Sequence, residues 1–177
     1  SGHPAPDVAA RFDFLGAGIY LFAQGATDEA LRALHRQQTL LIHEDSRGNV
    51  IAATALQQAA ALDDIYQAAY DSRLGAYLDK AGTVFSIWAP TAQAVSLCLY
   101  RTSSDAAQRV QHMHWDPSTG VWNVNVGLDL RHWYYSYLVD VFVPGTGLVR
   151  NRVTDPYSVS LTTDSRRSYV AELGERS

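Results

Sequence analysis

The sequence predicts a mainly β protein in which an antiparallel sandwich follows a small mixed α/β unit. Two observations lead to this fold class. Of the 24 alanines, 18 lie in residues 1–81, whereas all four tryptophans lie beyond that point. The second half also contains short rows of alternating apolar and polar residues between turn-forming residues, which is typical of half-buried strands. We therefore expect a connecting unit at residues 1–74 and a sandwich at residues 75–173.

Two short helices are predicted in the first unit. Thr27 is a suitable N-cap for the first, because its hydroxyl can accept a backbone hydrogen bond and the next two residues are acidic. Apolar residues at helical spacing within residues 62–69 predict the second helix. Asp63 and Asp64 stand near the start of that pattern, so we interpret them as capping residues rather than as part of a hydrolytic site.

A β-hairpin is predicted between these helices. Residues 39–43 and 50–54 are apolar, partly β-branched runs, and the segment 45–49 between them contains Asp, Gly and Asn. Such residues favour a tight loop between two paired strands.

The second unit is predicted as one strand after another. Apolar and polar residues alternate over residues 95–100, 122–126 and 135–143, which is the period of a strand with one buried face. Trp88 and Trp122 stand in such apolar rows, so we expect both indoles in the core. Short strands without intervening helices predict a sandwich of immunoglobulin-like architecture.

Composition excludes several classes of protein. An apolar content of 47% excludes a disordered chain, and a net charge of −4 leaves no basic surplus for nucleic acid. No apolar run reaches the length of a membrane-spanning helix, so neither nucleic acid nor membrane is expected as a partner. The single cysteine, Cys98, leaves the redox compartment open.

Several strings in the second unit carry a resemblance to a known family. FSIWAPTA at 85–92 and VSLCLY at 95–100 resemble the opening strands of the starch- and glycogen-associated module that precedes the catalytic barrel in α-glucan debranching and branching enzymes. GVW at 120–122, YYSY at 134–137 and NRVTDPYS at 151–158 are similar to the pullulanase branch of that group. Together these strings cover the second unit in order.

The resemblance extends upstream and implies a function. Residues 51–66 are similar to the region that pullulanases carry just ahead of this module. The resemblance therefore implies an N-terminal fragment of a pullulanase-type α-1,6-glucosidase, which cleaves branch linkages of pullulan, amylopectin or glycogen with two carboxylates. In that family the carboxylates lie in a (β/α)₈ barrel, and no barrel-like repetition is present here.

Several expectations follow from the resemblance. These 177 residues are expected to contain no catalytic residue and to need no cofactor. Their expected partner is the catalytic barrel of the same parent chain, which they would support and position. A bacterial periplasmic or extracellular location is favoured over the cytoplasm. Asp155, Pro156 and Tyr157 lead into the barrel in the resembling enzymes and are interpreted as the interdomain joint, although an ordinary surface turn fits this stretch equally well.

The remaining tryptophans are the candidate sugar-binding residues. Sugar rings stack on flat aromatic surfaces, and Trp115 and Trp133 stand at strand ends beside charged or polar neighbours. The glycogen-binding members, however, carry further tryptophans at positions that correspond here to residues 101–105 and 144–147, where this sequence has none. A structural role beside the barrel is therefore favoured. An autonomous α-glucan-binding module that uses Trp115 and Trp133 is the alternative, and a cell-surface adhesion sandwich is a third option that rests on fold alone.

One group of residues invites a metal hypothesis. His112, His114 and Asp116 stand at alternate positions, which a single strand would place on one face. Because no fourth ligand stands nearby in the sequence, we interpret them as a solvated strand face and assign no metal.

Overall fold

The computed structural model describes residues 25–56 and 59–171, together with Pro6. The chain divides into two compact units, Ser1–Leu31 and Arg32–Ser177. The whole sandwich lies in the second of these, and the boundary expected at residue 74 stays a prediction. Within the described part of the chain, no helix is long and apolar enough to cross a membrane.

The first predicted helix is present as α1 (Asp28–His35). The Ala30 N–H donates to the Thr27 side-chain oxygen at 3.2 Å. The Leu31 N–H donates to the Thr27 carbonyl oxygen at 3.0 Å. Thr27 therefore caps the helix as its sequence predicts.

The predicted hairpin is also present, as β1 (Leu40–Glu44) and β2 (Val50–Ala55) in antiparallel register. The Asp45 side chain orders its loop by accepting hydrogen bonds from the Arg47 N–H at 2.8 Å and the Asn49 N–H at 2.9 Å. An aspartate that accepts from the backbone two residues ahead is a common turn device, which explains why the loop is short.

The second helix is α2 (Ala59–Ile65), and a 3₁₀ turn at Gln67–Asp71 follows it. Asp63 and Asp64 lie in the last turn of α2, and its first turn contains no acidic residue. The interpretation of these aspartates as N-terminal caps is therefore wrong. The physical reason is that alanine has the highest helix propensity, so the alanines at 59–61 begin the helix earlier.

In the described residues after the 3₁₀ turn, nine strands are present. They are β3 (Gly75–Asp79), β4 (Gly82–Trp88), β5 (Ala94–Tyr100), β6 (Arg109–His112), β7 (His114–Asp116), β8 (Val121–Asn125), β9 (Tyr134–Val143), β10 (Gly147–Val153) and β11 (Ser168–Tyr169).

These strands form two antiparallel sheets. One sheet has the order β3-β4-β8-β7 and is called the β4 sheet below. The other has the order β10-β9-β5-β6, with β11 paired to β9, and is called the β9 sheet. The structure confirms the predicted mainly β fold, with an antiparallel sandwich after short helices and a hairpin.

The core lies between the two sheets. Phe85 of the β4 sheet meets Tyr135 of the β9 sheet edge to face, with ring centroids 4.9 Å apart. Leu97 and Leu99 of β5 belong to the same buried cluster. Cys98 alternates with them and is buried on the other face of its strand, where it is 2% exposed.

Candidate functional site

The two tryptophans expected in the core differ in burial. Trp122 is 6% exposed within the core cluster, and its indole N–H donates to the Ala89 carbonyl oxygen at 3.0 Å. Trp88 is half-buried and donates its indole N–H to the Thr119 carbonyl oxygen at 3.0 Å. Because the neighbouring Ile87 belongs to the core cluster, strand alternation places Trp88 on the outer face of β4.

The Trp115 ring is covered by an arginine. The Arg36 guanidinium lies 4.1 Å from the centroid of the Trp115 ring and 5.7 Å from that of Trp122. Its Nε and Nη2 atoms donate to the carbonyl oxygens of Ala92 and Gln93, each at 2.9 Å. A guanidinium held by two hydrogen bonds over an indole occupies one of the two ring faces on which a sugar could stack.

The Trp133 ring has a similar cover. The Arg101 guanidinium lies 4.3 Å from its centroid. Trp133 is half-buried and packs against the core cluster. Both candidate sugar-binding tryptophans therefore have an arginine on one face.

These two tryptophans lie at opposite ends of the sandwich. Arg36, which covers Trp115, binds the residues just before β5 begins. Trp133 directly precedes Tyr134, which pairs with Tyr100 at the end of β5. The seven residues of β5 span about 20 Å at the usual rise of a strand. The structure does not bring the two indoles together into one platform, and sugar binding by either of them stays a prediction.

Asp155, part of the predicted joint, is a buried carboxylate. It is 3% exposed, and its Oδ2 accepts hydrogen bonds from the hydroxyls of Tyr135 at 2.7 Å and Tyr137 at 3.4 Å. Its Oδ1 accepts from the Tyr157 N–H at 2.8 Å. Its own N–H donates to the Ser168 hydroxyl oxygen at 2.9 Å. The segment after β10 is thus tied to β9 through this one side chain.

Burial sets the protonation of this cluster. It raises the pKa of the Asp155 carboxyl, while the hydrogen bonds from Tyr135, Tyr157 and Tyr137 oppose that shift. Burial, with the nearby Asp155 carboxylate, also raises the pKa of the Tyr135 and Tyr137 hydroxyls far above its ordinary value. Both tyrosines therefore remain protonated donors. Sequence reasoning missed this role, and the only available signal was an aspartate beside a proline near tyrosine-rich strands.

The other two residues of the predicted joint reach the surface. Pro156 is exposed, and Tyr157 is 40% exposed. The backbone of Tyr157 is nevertheless fixed by the Asp155 carboxylate beneath it. An exposed aromatic ring on a hydrogen-bonded backbone is compatible with a contact to another domain. It is equally compatible with an ordinary surface turn.

The two histidines of the metal hypothesis lie in different sheets. His112 ends β6 in the β9 sheet, whereas His114 begins β7 in the β4 sheet. The chain crosses between the sheets at Met113, which is 6% exposed and donates its N–H to the Val95 carbonyl oxygen at 3.0 Å. The assumption of one shared strand face is therefore wrong. In the described residues, no group of three His, Cys, Asp or Glu side chains is placed to hold a metal ion.

A polar groove lies on the outer face of the β4 sheet, and sequence reasoning missed it. It has a volume of about 400 Å³, and its lining includes Arg73, Tyr77, Ser86, Asn123 and Asn125. Ser86 is paired directly with Asn123. Two residues further along the strands on the same face, Val84 is paired with Asn125 of β8 on one side and with Tyr77 of β3 on the other. The signal available in the sequence was the two asparagines that alternate with the core-facing Trp122 and Val124. We call these lining residues the outer groove.

Comparison with known proteins gives two family matches. Residues 73–158 match the family described as carbohydrate-binding module 48, the isoamylase N-terminal domain. Residues 4–64 match the pullulanase N2 domain.

The curated relatives are much longer than this chain. A pullulanase of Klebsiella pneumoniae is 36% identical over 173 residues, which is 95% of this chain and 15% of that protein. The chloroplastic pullulanase 1 of Arabidopsis thaliana is 32% identical over 147 residues, 82% of this chain and 15% of that protein. This chain therefore spans about one seventh of the length of either relative.

Solved structures agree with this relationship. A crystal structure of a maltotriose complex of a PulA mutant from Klebsiella pneumoniae superposes with a TM-score of 0.83 at 32% identity, covering 98% of this chain and 19% of the other. PulA from Klebsiella oxytoca gives a TM-score of 0.83 at 32% identity, covering 98% and 16%.

Proposed function

Because this chain belongs to the N-terminal region of pullulanases, a pullulanase N2 domain followed by a carbohydrate-binding module of family 48, we propose that it is a non-catalytic region that supports and positions the catalytic barrel of an α-1,6-glucan debranching enzyme. The observation that carries this proposal is the share of each protein that the alignment covers. Nearly the whole chain aligns with pullulanase, yet it accounts for only 15% of that protein.

The hairpin of the first half offers a surface for such a role. Five large apolar side chains on β1 and β2 are between 39% and 61% exposed. Successive residues point to opposite faces of the hairpin, so both faces carry exposed apolar groups. We call the five residues together the apolar hairpin surface: Leu40, Leu41, Ile42, Val50 and Ile51. Exposed apolar groups in this number are typical of an interaction site, and a two-stranded hairpin needs a covering partner for stability. We propose that the catalytic part of the parent chain packs against this surface.

The test uses the enzyme encoded by the parent gene. Ile42→Ser and Val50→Ser remove apolar contact area from the hairpin without touching the sandwich core. We expect a shorter half-life of pullulan hydrolysis at raised temperature, with little change in kcat/KM before inactivation. Val110→Ser is the matched control, because Val110 is 57% exposed on β6, away from the hairpin.

Two results would contradict the proposal. One is a half-life that the hairpin variants leave equal to that of the control. The other is release of maltotriose from pullulan by the purified 177-residue chain, since a supporting region has no activity of its own.

A second candidate function is binding of α-glucan by the chain itself. The observation that favours it is the outer groove, whose lining includes the polar side chains of Arg73, Tyr77, Ser86 and Asn123. The match of residues 73–158 to a carbohydrate-binding family adds support.

A further inference from the structure

Three large apolar side chains are exposed after β10, next to the predicted joint. Tyr157, Val159 and Leu161 lie within five consecutive residues and are 40%, 66% and 46% exposed. Single exposed apolar residues are normal on a protein surface, whereas a group of them marks an interaction site. We call these three residues the apolar ridge.

The backbone of the apolar ridge is held in place by hydrogen bonds. The Tyr157 N–H donates to a buried carboxylate at 2.8 Å. The Tyr169 N–H donates to the Ser160 carbonyl oxygen at 2.9 Å, and Leu161 forms a β-bridge with Ser168 of β11. Because β11 pairs with β9, the ridge is anchored to the β9 sheet. A fixed backbone lowers the conformational entropy that binding removes.

A small cavity lies beside the ridge. It has a volume of about 120 Å³, and its lining includes Gly75, Ala76, Tyr157, Val159 and Ala171. An apolar cavity of about 150 Å³ holds a benzene molecule, so this cavity has room for one aliphatic side chain.

Three hydroxyl groups of the cavity lining already have partners. The Tyr135 hydroxyl donates to Asp155 at 2.7 Å, and the Tyr169 hydroxyl is hydrogen-bonded to the Nδ1 atom of His132 at 2.7 Å. The Ser158 hydroxyl donates to the Asp155 carbonyl oxygen at 2.8 Å. These groups need no hydrogen bond from an occupant, which favours an apolar side chain over a polar one.

One cation also lines the cavity. The Arg73 guanidinium lies 4.0 Å from the centroid of the Tyr77 ring, and both residues belong to the lining. Among the residues that the structure describes, no carboxylate forms an ion pair with Arg73. A stacked guanidinium is well oriented to bind a carboxylate with two hydrogen bonds. Arginine and tyrosine are also the residues that often dominate the binding energy of protein interfaces.

The place of the ridge along the chain favours an occupant from the same polypeptide. Ala171 lines the cavity, and Ser177 follows it by six residues. Six residues span at most about 22 Å, so a domain that continues the chain after Ser177 begins within that distance of Ala171. Such a short tether gives an effective concentration in the millimolar range. The aligned region is only 15% of the Klebsiella pneumoniae pullulanase, so a parent chain of that kind has ample further sequence.

We infer that the apolar ridge and its cavity are a docking site for the catalytic part of the parent chain, which inserts an apolar side chain into the cavity and places a carboxylate against Arg73. This inference rests on the first proposed function, support of the catalytic barrel. It specifies a second contact in addition to the apolar hairpin surface.

The experiment compares hydrogen exchange in the 177-residue chain with that in the enzyme encoded by the parent gene, measured by mass spectrometry of peptides. We expect peptides that contain residues 157–161 to exchange at least tenfold more slowly in the enzyme, because docking excludes water from the ridge. Peptides that contain residues 109–112 of β6 are the internal control. Equal slowing of both sets would indicate general stabilisation and would overturn the inference.

Variants of the enzyme test the two parts of the contact. Val159→Asp should return the exchange of residues 157–161 to the rate of the isolated chain. Val110→Asp is the matched control, because Val110 is 57% exposed on β6, and it should leave that exchange slow. Arg73→Glu should speed the exchange at least threefold. Lys80→Glu makes the same change of charge at an exposed residue between β3 and β4, and equal effects of these two variants would overturn the contact with a carboxylate.

A further measurement excludes a purely structural role of the ridge. In the isolated chain, Val159→Asp and Val110→Asp should have the same thermal midpoint, since both side chains are exposed. A lower midpoint for Val159→Asp would make the ridge a part of the fold and would overturn docking.

The remaining outcomes separate this inference from the function on which it rests. If residues 157–161 exchanged equally in the chain and the enzyme, while residues 40–51 exchanged more slowly in the enzyme, the ridge would be overturned and support of the barrel would stand. Absence of slowing in both segments would overturn both. Slowing at residues 157–161 that grows with the concentration of the isolated chain would assign the ridge to a second copy and overturn the inference.

Discussion

Arg36 and Trp115, which both lie in the second compact unit, form a stacked contact: the guanidinium lies 4.1 Å from the centroid of the indole ring. The same guanidinium donates to the carbonyl oxygens of Ala92 and Gln93. The side-chain amide of Gln93 donates in return to the Arg36 carbonyl oxygen. The segment that follows α1 is therefore fixed by a reciprocal set of hydrogen bonds and one stacked ring.

Replacement of Arg36 tests this contact. Arg36→Met keeps an apolar stem but removes both donors and the charge, and we expect the free energy of unfolding to fall by about 2–3 kcal/mol. Urea unfolding followed by tryptophan fluorescence measures the change. Arg47→Met is the control, because the contact that fixes Arg47 in the hairpin loop uses its backbone N–H. Equal losses in the two variants would show that the Arg36 contact contributes nothing specific.

Removal of the Asp155 carboxylate should destabilise the sandwich. Asp155→Ala leaves the buried hydroxyl of Tyr135 without its acceptor at 2.7 Å, and we expect a loss of about 2–4 kcal/mol. Tyr135→Phe removes one donor only and should cost about 1–2 kcal/mol. Denaturant midpoints compare the two. If Asp155→Ala lowered the free energy of unfolding less than Tyr135→Phe does, the carboxylate would not be the main acceptor of this hydrogen-bond cluster.

Asp155 also predicts a pH dependence. Since burial raises its pKa in the folded state, the folded protein binds the proton more tightly than the unfolded chain. The contribution of this group to stability is then fully present below its ordinary pKa and is lost as pH rises through the raised one. The stability of wild type minus that of Asp155→Asn should therefore fall as pH increases above about 4. A difference that rises over this range would refute the assigned direction.

Gly82 and Gly145 offer a matched pair of backbone tests. Both have positive φ, +134° and +76°. A Cβ on Gly82 would lie 2.6 Å from the Leu128 backbone nitrogen, whereas one on Gly145 meets nothing within 4 Å. We expect Gly82→Ala to cost more than 2 kcal/mol and Gly145→Ala about 1 kcal/mol. Thermal unfolding of both variants provides the comparison, and equal midpoints would argue against the close approach.

Cys98 should be unreactive in the folded chain. It is 2% exposed, and burial raises the pKa of its thiol, which lowers the thiolate fraction. We expect labelling by an aromatic disulfide reagent to be at least a hundredfold slower in buffer than in denaturant. Absorbance at neutral pH measures both rates. Comparable rates would show that the outer face of β5 opens readily.

The sandwich could be predicted from local pattern, since each strand shows its buried face by alternation. The row of Val95, Leu97 and Leu99 is an example, because the three residues occupy one face of β5 and all lie in the core. Trp122 follows the same rule. The family was recognisable because its strings fall, in order along the chain, on β4, β5, β8, β9 and β10.

The contacts that shape the candidate sites were not predictable, because they join residues far apart in sequence. Arg36 lies more than 50 residues from the carbonyl groups that it binds, and no local pattern specifies such a partner. The crossing at Met113 was missed because His112 and His114 alternate as they would in one strand. The outer groove was not predictable because the alternation over 122–126 shows which face of β8 is buried but not the shape of its other face.

The hairpin has a consequence for the isolated chain in solution. Its strands contain neither lysine nor proline, the residues that usually prevent exposed strand edges from pairing with another molecule. We therefore expect the hairpin of one isolated chain to pair with the hairpin of a second copy. Light scattering should therefore rise with protein concentration, and Ile42→Lys should suppress the rise.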